Sequence, residues 1–286
     1  MSALPPPADF QSTPSDRTGP VSVFDERAWE HSLGGRAPGA RWIGWRLRLL
    51  VAAALIGCLA IFVLIRALAA LPAMQVTLQG NDRGVLLLPD PAGAPRAVRA
   101  LVDAQGRTTA LATLLLQRSA RWLVDDAERA RQVAQHDALA SALAAGSLQL
   151  ALDDGRRIVV ASGAQGAAGL GALFWLATTL ALLLYLVTMV VLLVRPALRN
   201  ALYAVMALAQ VGNLLFLAAE SIPALGFPVG FMRWDHDLRS AFDLATAAAL
   251  VHVTGMHPCR LPGSRVRAAA AWLLALALSA AVGLQW

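Results

Sequence analysis

From Leu170 to Val194 the chain runs for 25 residues without a charged side chain. A helix rises about 1.5 Å per residue, so a run of this length crosses the roughly 30 Å hydrocarbon core of a bilayer. Residues 46–71, 201–219 and 268–286 have the same character, and Arg66 in the first can extend its guanidinium toward an interface. A weaker run, 240–256, carries Asp243 and His252. Composition agrees: 57% of the residues are hydrophobic and 15% are charged, against about 25% charged in soluble domains. The expected fold is an α-helical integral membrane bundle of about five spans.

The basic residues are all arginine, and their placement orients the spans. Arg36, Arg41, Arg46 and Arg48 precede the first run, Arg195 and Arg199 follow the second, and Arg260, Arg265 and Arg267 separate the fourth from the fifth. All fall on one side when the amino terminus is cytoplasmic, as the positive-inside bias requires. The aromatic residues agree, with Trp42 and Trp45 at the inner end of the first run and Trp175, Trp234 and Trp286 at outer ends. The net charge of +6 is thus assigned to membrane orientation and not to a nucleic-acid partner. A bacterial inner membrane is the expected location. Residues 1–45, rich in Pro, Gly, Ser and charge, read as a disordered cytoplasmic tail. The first apolar run begins too late for a secretory signal.

Residues 72–169 lie between the first two spans and carry ten arginines and nine acidic residues. A segment this long translocates regardless of charge, so an extracytoplasmic location is expected. Its pattern is that of a small α+β domain. Strands are expected over Met74–Leu78, Val85–Leu88 and Val98–Val102, with turns at Asn81-Asp82 and at Asp103 to Gly106. Asp125, Asp126 and Glu128 open a helix that runs to Ala145 and stops at Gly146. Leu148–Leu152 and Ile158–Ala161 flank Asp154-Gly155, a hairpin signal. The apolar residues Leu111 to Leu116 read as domain core. Gly163, Gly166, Gly169 and Gly171 read as a flexible joint to the second span.

Candidate chemistry is sparse. A charged group at mid-membrane costs about 2.5–3.5 kcal/mol on insertion scales, so polar residues there face other helices or water. Gln210 and Asn213 share a helical face that Glu220 extends outward, and Asp243 and Thr246 share a face of the following span. These five residues form a candidate polar seam, with interhelical hydrogen bonding as the simplest reading and a proton pathway as the sharper one. An interfacial pair of Asp243 with Arg239 one turn earlier is also expected. Trp234-Asp235-His236-Asp237 reads as a solvated loop, and His257-Pro258-Cys259 supplies too few ligands for a metal. Cys58 and Cys259 have no metal spacing and no expected disulfide. No catalytic, cofactor-binding or metal-binding residue is expected.

The stretches RPALRNALYAVMALAQVGNLLFLAAES and FDLATAAALVHVTGMHPCRLPGSR resemble the membrane sensor region of bacterial multi-span histidine kinases. The layout, from Arg46 to Trp286, is similar to that of seven-transmembrane receptors with diverse intracellular signalling modules. The resemblance implies a sensory input module whose outer domain meets a ligand or protein, with homodimerisation and, through a cytoplasmic kinase core, a response regulator as partners. No phosphoacceptor-histidine helix or ATP-binding box occurs within the 286 residues, so kinase activity is expected only from a continuing reading frame. The alternative is a transporter or accessory permease subunit using the polar seam.

Overall fold

The computed structural model describes residues 40–90, 93–117, 119–146, 148–222, 226–256 and 261–284. The first 39 residues, His257-Pro258-Cys259 and Trp286 lie outside these, so the inner-loop ligands, the outer Trp286 anchor and most of the expected tail are not described; the last residues of that tail, 40–45, are helical and not disordered. The chain divides into two units, Met1–Trp45 and Arg46–Trp286. Among the described residues, every strand lies in the second unit.

Five long helices carry that second unit. Helix α1 (Ala40–Ala70) leads into the small domain; α3 (Gly171–Val194), α4 (Leu198–Glu220), α5 (Val229–Thr254) and α6 (Ser264–Gly283) follow it. Four stretches are long and apolar enough to cross a membrane: Gly44–Ala70, Ala168–Val194, Leu198–Glu220 and Ser264–Gly283. The chain is a helical, multi-pass membrane protein. The expected fifth span, 240–256, is the apolar half of the longer α5. That helix is not among the four because its first half carries Arg233, Asp235, Asp237 and Arg239.

Local chemistry sets the helix ends. Pro196 cannot continue α3, which stops at Val194, and the Arg195 carbonyl accepts from the Ala197 amide at 2.8 Å and from Asn200 Nδ2 at 2.7 Å. Arg46 Nη1 donates to the Val194 carbonyl at 3.3 Å, a cation at the negative end of α3. Consecutive helices pack side by side, α3 on α4, α4 on α5, and α5 on α6. Tyr185 on α3 ties α1 to this row by donating to the Ala53 carbonyl at 3.0 Å. Gly212 on α4 leaves the space that the Phe242 ring of α5 occupies.

Between α1 and α3 sits the α+β domain. Its entering and leaving strands, β1 (Pro72–Met74) and β8 (Ser162–Ala164), pair antiparallel and bring the two chain ends together. The main sheet runs β2 (Gln79–Gly80), β3 (Leu86–Leu88), β4 (Arg96–Val102), β6 (Leu148–Leu152), β7 (Arg157–Val160), all antiparallel; β5 (Thr108–Ala110) also pairs with β4. Helix α2 (Asp126–Ala144) starts where the Asp125 side chain accepts from the Ala127 amide at 2.7 Å. The β6–β7 hairpin turns at Asp154-Gly155 as its sequence requires. Leu86, Leu148 and Leu150 are fully buried beneath Leu139 and Leu143 of α2, and Leu111 and Leu115 join the same core.

Two local expectations change. The strand expected over Met74–Leu78 lies earlier, at Pro72–Met74, because its partner β8 starts at the far end of the domain. The glycine-rich joint is built into the fold: the Gln165 and Gly166 amides donate to the Leu71 and Ala69 carbonyls at 3.0 and 2.9 Å. Those carbonyls are orphan acceptors at and just beyond the end of α1, so the expected hinge serves as a cap.

Candidate functional site: the junction between domain and helices

The five candidate seam residues come from α4 and α5; the structure joins four of them in two pairs and gives the fifth, Glu220, a different partner on α5. Gln210 Nε2 faces Thr246 Oγ1 at 3.4 Å, and Asn213 Nδ2 donates to Asp243 Oδ1 at 3.0 Å. Two turns further out, Glu220 Oε2 accepts from Arg239 Nη1 at 2.7 Å. The facing positions follow from helix periodicity, since residues three, four and seven apart share a face.

The expected pairing of Asp243 with Arg239 is not made. Asp243 instead binds Arg121 of the domain, Nη2 to Oδ2 at 2.5 Å. Arg239 turns to Glu220 and to Asp235, whose Oδ1 lies 3.2 Å from the same Nη1. Asp243 sits beside Asn213, two helical turns along α4 from Glu220, where Arg121 of the domain reaches it.

The segment expected as a solvated loop, Trp234 to Asp237, is helical and lies in the first half of α5. Within it Trp234 is exposed, while Asp235 is only 3% exposed. Ser119 of the domain donates its hydroxyl to Asp235 Oδ2 at 2.9 Å. Ser119, Asp235, Arg239 and Glu220 therefore form one continuous buried chain from the domain, through α5, to the end of α4. Ser119 and Arg121 carry no motif that marks them in the sequence. The one available signal is the density of opposite charges over residues 233–243, which has no meaning until partners are known.

An apolar core surrounds this chain. Leu68 of α1, Ala120 and Val133 of the domain, Phe174 of α3, Ala218 of α4 and Met232 of α5 belong to one buried cluster. The loop before α5 seals its edge: Phe227 stacks on Phe231 at 4.7 Å and lies 5.8 Å from the His136 ring of α2. Gly226 rests on the backbone of Leu139 and Ala140, where any side chain would collide with main-chain atoms. Asp137 accepts from the Val229 amide at 3.2 Å, satisfying a first-turn donor of α5.

The α2 face turned toward the segment after β5 is unusually polar. Gln132, Gln135 and His136 are all buried, and Gln132 Nε2 donates to the Gln117 carbonyl at 2.6 Å. The His136 ring nitrogens find no well-formed hydrogen bond among the described residues, though the Gln117 and Leu115 carbonyls lie near them. Burial pushes this imidazole down to about 4, and the nearby Gln117 and Leu115 carbonyls offset it only in part. His252, farther along α5, accepts instead from Trp272 Nε1 of α6 at 3.3 Å and does not approach Asp243.

Among the described residues no group of three or more His, Cys, Asp or Glu side chains could hold a metal ion. Comparison with known protein families, curated proteins and solved structures found no match to this chain. The geometry joins the folded domain to two helices through polar contacts, of which those of Ser119, Asp235, Arg239 and Glu220 are buried.

Proposed function

We propose that this protein is a membrane input module, in which the α+β domain receives a ligand or protein partner and passes its state to the helix bundle through α5. The observation that carries the reading is the buried chain Ser119–Asp235–Arg239–Glu220. A domain that merely hung from the membrane would need no such chain. Here any shift of the segment around Ser119 must move Asp235, and Asp235 shares its guanidinium with α4. The Arg121–Asp243 pair adds a second point of control deeper on α5. Two packings of α4 against α5, differently favoured by the two states of the domain, are what transmission requires.

In this reading the domain is extracytoplasmic, the arginine clusters at residues 195–199 and 265–267 face the cytosol of a bacterium, and the apolar half of α5 supplies a fifth span. Output would come from a cytoplasmic histidine kinase core acting on a response regulator. The test is a chimera in which the chain is followed by one further span and such a core. Autophosphorylation should change severalfold on Ser119→Ala and on deletion of residues 74–163. Identical activity in all three proteins would end the proposal.

The seam itself supports a second reading, a transporter or accessory permease subunit, because Asn213–Asp243 and Gln210–Thr246 place polar groups within span depth. It predicts solute flux in proteoliposomes that Asn213→Ala or Asp243→Ala abolishes. Two cavities of about 300 and 790 Å³ lie between α1 and α4, the first also lined by α3 and the second by α5, and their linings are almost entirely apolar.

A further inference from the structure

Charges at the junction pair off one by one until a single residue is left with two partners. Arg121 meets Asp243 at 2.5 Å, Arg129 meets Asp126 at 2.7 Å, and Arg233 meets Asp237 at 3.7 Å. Arg239 faces both Glu220 and Asp235. The side chains of these three are 8%, 3% and 4% exposed. The domain contributes the Ser119 hydroxyl, which brings a hydrogen bond and no charge. His236, the next residue on α5, stands between Asp235 and Asp237 on its own helix and Arg129 and Arg121 of the domain. Its burial, with those two guanidinium groups, holds it toward its neutral form. Counting the described residues, the buried centre with both carboxylates ionised would carry one uncompensated negative charge. Moreover, Glu220 Oε1 is buried with no hydrogen-bond donor among the described residues.

Both carboxylates reach the same Arg239 nitrogen, at 2.7 and 3.2 Å, so their bound oxygens stand no more than about 6 Å apart, close enough that ionising one opposes ionising the other. A single added proton removes the excess charge and leaves the bonds to Ser119 and Arg239 in place.

We propose that Glu220 and Asp235 share one exchangeable proton, and that this proton latches the domain onto α4 and α5. With the proton bound, the centre is neutral: one guanidinium, one carboxylate and one carboxylic acid. When the proton leaves for water, the pocket holds two carboxylates on one guanidinium, and the repulsion is relieved by parting Asp235 from Ser119 or α4 from α5 so that water enters. The closed junction therefore binds the proton more tightly than the open one, and by linkage acid favours closure while alkali favours opening. The proton site stands independently of the input-module reading. Its consequence, that proton concentration is a signal this module responds to, rests on that reading.

The test uses the full chain in lipid nanodiscs, with Cys58 and Cys259 replaced by serine and spin labels placed at the exposed positions Val124 and Tyr203. Infrared difference spectra across a pH titration should show one protonated-carboxyl band that disappears on alkalinisation. The label separation should lengthen or broaden with the same midpoint. Glu220→Gln should lose the band and hold the closed distance at every pH. Asp235→Asn should do the same, because either change leaves one carboxylate for one guanidinium, and it supplies the answer if the first variant fails to fold. A titration without a band sensitive to these substitutions would overturn the proton site. A band that titrates while the distance stays constant would overturn the latch. A chimera indifferent to deletion of the domain would sink the input-module reading while leaving the band in place, so the two failures can be told apart.

Discussion

In the α+β domain large apolar side chains point inward, and in the helix row they point outward. Leu86, Leu148 and Leu150 are fully buried, and the exposed positions of that domain are largely polar or small. On α3, Leu176, Leu180, Leu183 and Val187 are each about half exposed, while the buried positions are Phe174, Ala177, Thr178, Ala181 and Thr188. The two threonines bond to their own helix, donating to the Phe174 and Leu184 carbonyls. Water drives the first arrangement. In lipid no such force separates leucine from its surroundings, so helices meet through small residues that permit close approach. The junction belongs to neither regime. It has an apolar core shared by both parts, and in its middle a charged centre that neither water nor lipid solvates.

That contrast can be broken at several points. The largest effect is expected at the centre itself. Arg239→Ala leaves Glu220 and Asp235 buried without their cation, and loss of one partner from a buried pair costs about 3–5 kcal/mol; thermal unfolding in nanodiscs should show it as a large drop, with limited proteolysis newly admitted between domain and helices. A variant as stable as the parent would mean that the centre is solvated after all.

Leucine should behave oppositely in the two regions. Leu150→Ala removes a fully buried side chain, for which about 2–5 kcal/mol is typical. Leu183→Ala exchanges one lipid-facing apolar group for another and should stay within about 0.5 kcal/mol. Equal effects would contradict the assignment of α3 to lipid.

His136 separates the regions by pH. Its buried imidazole is held down to about 4 against an ordinary 6.5, so the folded domain binds fewer protons than the unfolded chain over that interval. The stability this gives is complete above about 6.5 and is lost as pH falls toward 4, amounting to roughly 3 kcal/mol. Unfolding midpoints measured across this range should show the slope, and His136→Phe should flatten it. The sign is opposite to that of the Glu220–Asp235 proton, which acid favours, so the two groups are separable in one titration.

Among the substitutions expected to destabilise, the smallest effect belongs to helix packing. Gly212→Val would drive a side chain into the Phe242 ring, and overpacking of this kind costs about 1–3 kcal/mol. A loss of stability with the domain contacts intact, read from the Val124–Tyr203 label separation, would place the damage between α4 and α5 alone.

Much of the architecture could be read from residues alone, for a physical reason that differs by region. Lipid acts on each helix separately, so the length and polarity of residues 170–194 or 201–219 suffice to mark a span. Hairpins and helix starts depend on a few neighbouring residues, so Asp154-Gly155 and Asp125 announced the β6–β7 turn and the start of α2. The faces of α4 and α5 also followed from periodicity, which is why Gln210, Asn213 and Glu220 could be set against the following helix before any partner was known.

Tertiary structure decided what those faces meet. The dense charges between Arg233 and Asp243 read equally well as a solvated loop, because the stretch has no local feature that distinguishes an exposed aspartate from a buried one. Asp235 became buried only when Ser119, more than a hundred residues away in sequence, closed over it. Arg239 pairs with Glu220, and Asp243, one turn further along α5, pairs with the domain's Arg121. Apolar length and turn chemistry are properties of a segment and are written in it; the pairing of buried charges is a property of the assembled fold and exists nowhere before it.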